Sequence, residues 1–227
     1  GVLNRSWRIF RRYPVLPLAV LAVLLVCALF APLIAPDDPL FGSLRDRNIP
    51  PVFMDEGSSE HILGTDLQGR DILSRVIFGA RISMIVAAIV IVVGGVFGVF
   101  VGILSGYRGG WVDELAMRAV DFTNALPFLL VALVVVIVMG QSLTVMIILL
   151  ILFGWDGYAR QVRGEVLVLR NAEYVAIARV QGASDRRIML KHILPNLWGT
   201  ILVVSSLRVG GLILTEATLS FLGVGVP

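Results

Sequence analysis

Side chains able to make or break bonds are few in this sequence, and their spacing argues against such chemistry. His61 and His192 lie in polar stretches with several long apolar runs between them, and Cys27, the single cysteine, sits inside such a run. No Gly-x-x-x-x-Gly-Lys-Ser/Thr phosphate loop occurs, so the chain cannot cradle ATP in that way. The histidines fall in predicted loops on opposite sides of the apolar runs and cannot pair as nucleophile and base. No intrachain disulfide or thiolate metal cluster can form. Catalytic residues, metal ligands and cofactors are therefore expected to be absent from this chain.

Charges placed against apolar runs are better candidates. Arg208 falls near the middle of the run from Leu197 to about Ser220, Glu216 lies toward its end, and Asp121 borders the uncharged run from Phe122 to Trp155. A central arginine costs ~2.5–3.5 kcal/mol on the insertion scale, so it turns toward protein or water. Either Arg208 lines a pathway and meets a solute carboxylate, or it forms an ion pair with Asp121, Glu216 or a neighbouring subunit.

The most informative segment is polar. Tyr174 to Asn196, YVAIARVQGASDRRIMLKHILPN, is compatible with water yet lies between runs of membrane-grade hydrophobicity. Ahead of it, Tyr158 to Arg170 alternates Arg160, Arg163 and Arg170 with Val162, Val166 and Leu169 at the helical period. A second short helix is predicted to start at Asn171 or Ala172, to carry the small residues Ala176 and Ala178, and to stop at Gly182. Glycine most readily takes the left-handed conformation that ends a helix. Ser184 can cap the next helix, Asp185 suits its positive first turn, and Pro195 with Asn196 ends it. The product is a helix-Gly-helix elbow over 172–195. Its slender, Ala-bearing helix suits a groove on a partner; the alternative is an interfacial helix lying on lipid headgroups.

The elements that position these residues follow from composition. A chain of 227 residues that is 57% hydrophobic and 15% charged, with mean hydropathy +0.90, belongs in a bilayer. Its apolar runs are long rather than alternating, which selects helices over barrel strands and makes the fold class all-α, a polytopic membrane helical bundle. Spans are expected at about 14–35, 82–106, 117–139, 142–158 and 197–220, in one transmembrane domain with an external loop at 37–81 and a cytoplasmic segment at 159–196. Arg5, Arg8, Arg11 and Arg12 ahead of the first span put the N-terminus inside. The uncharged run 122–155 would be about 50 Å of helix, too long for one crossing. A break at Gly140, Gln141 and Ser142 makes two, and returns Arg160, Arg163, Arg170, Arg179, Arg186, Arg187 and Lys191 to the inner side. This topology accounts for the net charge of +3 without invoking nucleic acid.

Local signals refine the picture. Gly94, Gly95, Gly98 and Gly102 recur at spacings that admit a close neighbouring helix. Thr65 with Gln68 has capping-box spacing. A short amphipathic helix should follow, with Ile72, Leu73, Val76, Ile77 and Ala80 on one face and Arg70, Asp71 and Ser74 pointing away.

With these residues in view, the chain resembles the transmembrane subunits of binding-protein-dependent ABC importers. Their cytoplasmic EAA motif reads Glu-Ala-Ala, three residues, Gly, nine residues, Ile, any residue, Leu-Pro. Gly182, Leu194 and Pro195 hold that frame here and Ala178 matches its second Ala, while Ala176, Ile177 and His192 replace the Glu, first Ala and Ile. GTDLQGRDILSRVIFGARIS (64–83), GYRGGWVDELAMRAVD (106–121), KHILPN (191–196) and LSFLGVGVP (219–227) resemble the dipeptide, oligopeptide and nickel importers, specifically the second, C-type permease.

The resemblance implies the type I permease fold with a sixth span beyond this sequence, in a prokaryotic inner membrane. It implies a second homologous permease, an extracytoplasmic substrate-binding protein, and two ATPase subunits that bind the ATP and Mg. The implied coupling contacts come from Ala176, Ile177, Ala178, Arg179, Gly182, Ala183, Ser184, Asp185, Leu194 and Pro195. Peptides are the expected cargo, and Arg208 could then meet a peptide C-terminus. Nickel chelates or oligosaccharides are the alternatives within the same architecture. A stand-alone secondary transporter would want paired intramembrane acids or broken helices in pseudo-repeats, neither of which is clear here.

Overall fold

The computed structural model describes residues 15–223, with side chains from Ala19 onward, so Arg5, Arg8, Arg11, Arg12 and the stretch 224–227 lie outside the described residues. The described chain is helical, in keeping with the all-α expectation. It divides into two compact units, one up to Ile85 and one from Val86.

In the first unit, helix α1 runs Val15–Ile34 and a loop with a single 3-10 turn at Leu44–Asp46 leads to α2, Ile72–Arg108, whose residues from Val86 onward belong to the second unit. The loop is stitched by side chains. The Thr65 hydroxyl accepts the N–H of Ile49 at 2.9 Å and donates to the carbonyl of Asp46, so it does not cap the helix. That role falls to Asp71, whose Oδ2 accepts the Ser74 N–H at 2.7 Å. The expected faces are also corrected. Asp71 and Ser74 are buried, whereas Val76 is 58% exposed, because the cap and its hydrogen-bonded loop fold over the start of α2.

Asp66 organises the same loop, accepting the N–H groups of Gln68 and Arg70 and pairing with the guanidinium groups of Arg70 and Arg75. Burial alone would push its carboxyl up. The backbone donors of Arg70 and Gln68, and the Arg70 side chain, outweigh that and draw the pKa from 3.8 down to about 2. A depressed folded-state pKa gives stability that is complete above 3.8 and is lost as pH falls toward about 2. Hydrogen-exchange protection of the loop amides is therefore expected to drop across that acid window in the wild type. Asp66→Asn should remove the step, since it leaves nothing to protonate.

α2 is one uninterrupted helix of 37 residues, about 55 Å at 1.5 Å per residue, and not a short helix followed by a separate span at 82–106. Nothing at the Ala80–Arg81–Ile82 junction breaks it: no proline occurs there, and Gly79 is tolerated inside a helix.

In the second unit, α3 (Gly110–Ala125) and α4 (Phe128–Met139) meet at a bend of 79°, where an unbroken span at 117–139 was expected. Pro127 is the cause. It forces Leu126 out of the helical region to φ −83°, ψ 127°. The expected break at 140–142 is present: Gly140 ends α4 at φ +83°, and the Ser142 hydroxyl caps α5 (Leu143–Leu152) through the N–H of Thr144. A short interruption at Phe153–Trp155 separates α5 from α6 (Asp156–Leu169), so the apolar helical stretch extends to Leu169, past the expected end at 158.

After α7 (Glu173–Val180), the chain runs as one helical path from α8 (Asp185–Ile188) into α9 (Trp198–Phe221). Pro195 does not end it, contrary to expectation. A widened turn at Met189–Ile193, closed by the Leu194 N–H on the Met189 carbonyl, and a 3-10 turn at Leu194–Leu197 absorb the missing donor and the ring.

By length and composition, Ile72–Arg108, Leu143–Leu169 and Asp185–Phe221 can each cross a bilayer, and the bent pair α3 and α4 makes a fourth if it is one span; Ala19–Ile34 is a shorter apolar helix. Two cores hold the second unit. Val86, Val90, Ala132, Met146, Leu149, Leu150 and Leu219 form one. The other joins Val99, Ile103 and Tyr107 of α2 to Val162 and Val166 of α6, Val175 of α7, and Ile188, Ile193 and Leu197.

The glycines of α2 set its distance from α6. A Cβ on Gly98 would overlap the Trp155 carbonyl, and one on Gly102 would lie 2.7 Å from the Ala159 carbonyl. Gly106 continues the seam, its Cβ falling 2.9 Å from the Arg163 carbonyl. The expected packing stripe is therefore real and one helical turn longer than the sequence suggested.

Candidate functional site

The elbow forms as the residues require. Ala172 precedes α7 in an extended conformation, within the predicted start, and Gly182 sits at φ +80°, a left-handed geometry that an ordinary L-residue adopts only with strain. The Ala183 N–H closes back on the Ala178 carbonyl at 3.0 Å, satisfying an orphan group of α7. Ser184 lies at the N-cap position of α8 without a side-chain cap bond.

The elbow is two-sided. Val175 and Ala178 are buried in the core with Ile188, and Ala183 and Leu194 pack partly against it. Outward stand Ala176, Arg179, Gly182, Ser184, Asp185 and Pro195, together with Ile177 at 57% exposure and Val180 at 89%. Of the two small residues credited with close approach, only Ala176 is on the outer side. Ala178 belongs to the chain's own core.

Anchors fix the elbow to the end of α2. Tyr107 donates its hydroxyl hydrogen to Asp185 Oδ1 at 2.8 Å, while Arg179 reaches the same hydroxyl at 3.5 Å and stands 6.0 Å from the ring centre. Arg170 donates to the Gly106 carbonyl at 2.9 Å. A bidentate pair joins Arg163 of α6 to Asp113 of α3, with Nη2 to Oδ2 at 2.6 Å. Tyr107 and Asp113 were missed in the sequence. Their signal was their place in GYRGGWVDE, directly after an uncharged run, where a polar side chain meets whatever packs beneath the helix end.

Arg208 is held by residues that the sequence did not nominate. Its guanidinium pairs with Asp156 at 3.4 Å, donates to the Gly154 carbonyl, and lies 5.3 Å from the centre of the Tyr158 ring. Asp121 instead binds Arg160 at 2.7 Å, and the Glu216 carboxylate accepts the Ser220 hydroxyl at 3.0 Å, so the acid paired with Arg208 is Asp156 and neither of the two candidates in this chain. Gly157 makes room for the guanidinium, since a Cβ there would collide with it. Arg208 also borders a cavity of about 440 Å³, with Thr123, Asn124, Phe153, Leu212 and Thr215 around it. The arginine thus pins α9 to the interruption between α5 and α6 and faces open space.

Comparison with known proteins gives one family. The family described as binding-protein-dependent transport system inner membrane component matches residues 98–227. The dipeptide transport system permease protein of Bacillus subtilis (strain 168) is 39% identical over 209 residues, which cover 92% of this chain and 63% of that protein. The oligopeptide transport system permease protein of the same organism is 40% identical over 210 residues, 92% of this chain and 67% of its own length. The glutathione transport system permease protein of Pectobacterium atrosepticum is 40% identical over 222 residues, 96% and 72%. The chain therefore spans between 63% and 72% of the length of these relatives.

Proposed function

We propose, on the premise that this chain belongs to the family of inner-membrane components of binding-protein-dependent transport systems, that it is one permease subunit of an ATP-driven peptide importer. A second permease completes the pathway, two cytoplasmic ATPases bind ATP and Mg and hydrolyse it, and an extracytoplasmic binding protein delivers the peptide. The N-terminus and the elbow face the cytoplasm. The cavity beside Arg208 is this subunit's share of the path.

The observation that carries the reading is the two-sided elbow. A short helix that exposes Ile177 and Val180 while its opposite face is locked to the ends of α2 and α6 is suited to receive force from a partner and pass it to the bundle. The peptide assignment rests on relatives named for dipeptide, oligopeptide and glutathione transport.

Gly182 supplies the test. Nothing lies within 4 Å of a Cβ built there, so a substitution acts through backbone strain alone. Gly182→Val should cost about 1–3 kcal/mol of elbow geometry and reduce ATP-dependent peptide uptake into vesicles by roughly tenfold or more. Gly182→Asn should remain near wild type, because Asn enters the left-handed region cheaply. Uptake that is indifferent to ATP, with no ATPase co-purifying, would overturn the reading.

A further inference from the structure

We propose that Asp37, His61 and Asp71 form a binding site for a divalent transition-metal ion of the zinc type. The sequence spacing hides this set, and the loop between α1 and α2 assembles it. One donor atom from each residue lies within 4.8 Å of the other two. His61 Nδ1 is 3.2 Å from Asp71 Oδ1 and 3.8 Å from Asp37 Oδ2. Those separations bracket the ~3.3–3.4 Å edge of a tetrahedron whose metal–ligand bonds are about 2.0–2.1 Å. Small side-chain shifts close it.

The donors are held from behind. Asp71 is buried, and its Oδ2 is occupied by the Ser74 N–H, which leaves Oδ1 facing His61. The Asp37 N–H donates to the Ser74 hydroxyl at 3.0 Å, so both carboxylates hang on the first turn of α2. An independent observation points to a cation. The set lines a cavity of about 650 Å³ to which Asp38, Asp46 and Glu60 also contribute, with no Lys or Arg among its described lining residues. Beyond the two ligand carboxylates, these three add to a negative potential focused on that space.

The donor types narrow the ion. Calcium and magnesium take oxygen ligands, whereas an imidazole joined to carboxylates suits zinc and its transition-metal neighbours. Three protein donors leave a position for water. A bound ion would clip the two ends of the loop together, from Asp37 through His61 to Asp71, and so offset the entropy of ordering it.

The test uses the full chain in its membrane assembly, purified in detergent, stripped with a chelator and dialysed against zinc chloride. About one zinc per copy should be retained over the same assembly carrying His61→Ala, and cobalt should give the intense visible bands of a low-symmetry four-coordinate site. Asp37→Asn keeps the fold, since Asp37 engages Ser74 through its backbone, and should weaken zinc affinity by at least about tenfold. Zinc should also slow tryptic cleavage at Arg45 and Arg47 in the wild type but not in either variant. Equal zinc retention by wild type and both variants, or retention without loop protection, would overturn the proposal.

Discussion

Gly98→Val is expected to abolish the folded helix pair formed by α2 and α6. Its Cβ would overlap the Trp155 carbonyl and stand 2.7 Å from the Tyr158 Cβ, and a backbone oxygen cannot rotate aside as a side chain can. The helices must separate, which withdraws Val99, Ile103 and Tyr107 from Val162 and Val166 across the whole seam. Overpacking in a core costs about 1–3 kcal/mol where neighbours can yield, and more where the obstruction is backbone. Loss of most monodisperse protein after detergent extraction is the expected result, with Gly102→Val nearly as severe. Gly95→Ala, whose Cβ would rest 3.4 Å from the Tyr158 ring, and Gly164→Ala, whose Cβ meets nothing within 4 Å, should extract and melt as wild type does. A Gly98→Val protein with unchanged melting temperature would show that the seam does not hold the bundle.

Features written in local pattern were legible from the sequence. Gly182 ends α7 because a left-handed residue is needed at that position, and Gly140 with Ser142 ends one helix and caps the next. The glycine stripe was legible because its period is that of the helix face it forms. What failed depends on partners distant in the chain. Thr65 has the spacing of a cap, but its hydroxyl is claimed by Asp46 and Ile49, and Asp71 caps the helix instead. Arg208 and Asp156 lie 52 residues apart, and nothing in a hydropathy profile marks Asp156 above Asp121. Proline was misjudged in both directions. Pro127 breaks the helix because Leu126 ahead of it is driven into an extended conformation and the chain bends there by 79°, whereas Pro195 is tolerated because the preceding turn widens.

The elbow's outer face gives the second large effect. Ile177 and Val180 are three positions apart on α7, at 57% and 89% exposure, so they project together with nothing among the described residues burying them. An apolar pair stands on a helix whose reverse side is clamped by Val175, Ala178 and the Tyr107–Asp185 bond, and the proposed coupling role requires a hydrophobic socket on the ATPase to receive it. Ile177 also stands where the family motif has Ala, which adds bulk at the contact. The double variant Ile177→Asp, Val180→Asp would put two carboxylates into that socket. Loss of a contact of this kind costs about 2–4 kcal/mol, equivalent to roughly 30- to 1000-fold in affinity. Co-purification of the ATPases and ATP-driven uptake should therefore fall together. Thermal stability of the isolated chain should not change, because both side chains are already exposed. Val175→Asp, on the buried face, should instead destroy stability and uptake alike. If the double variant kept its ATPases and its transport rate, the outer face of α7 would not be the surface through which force enters.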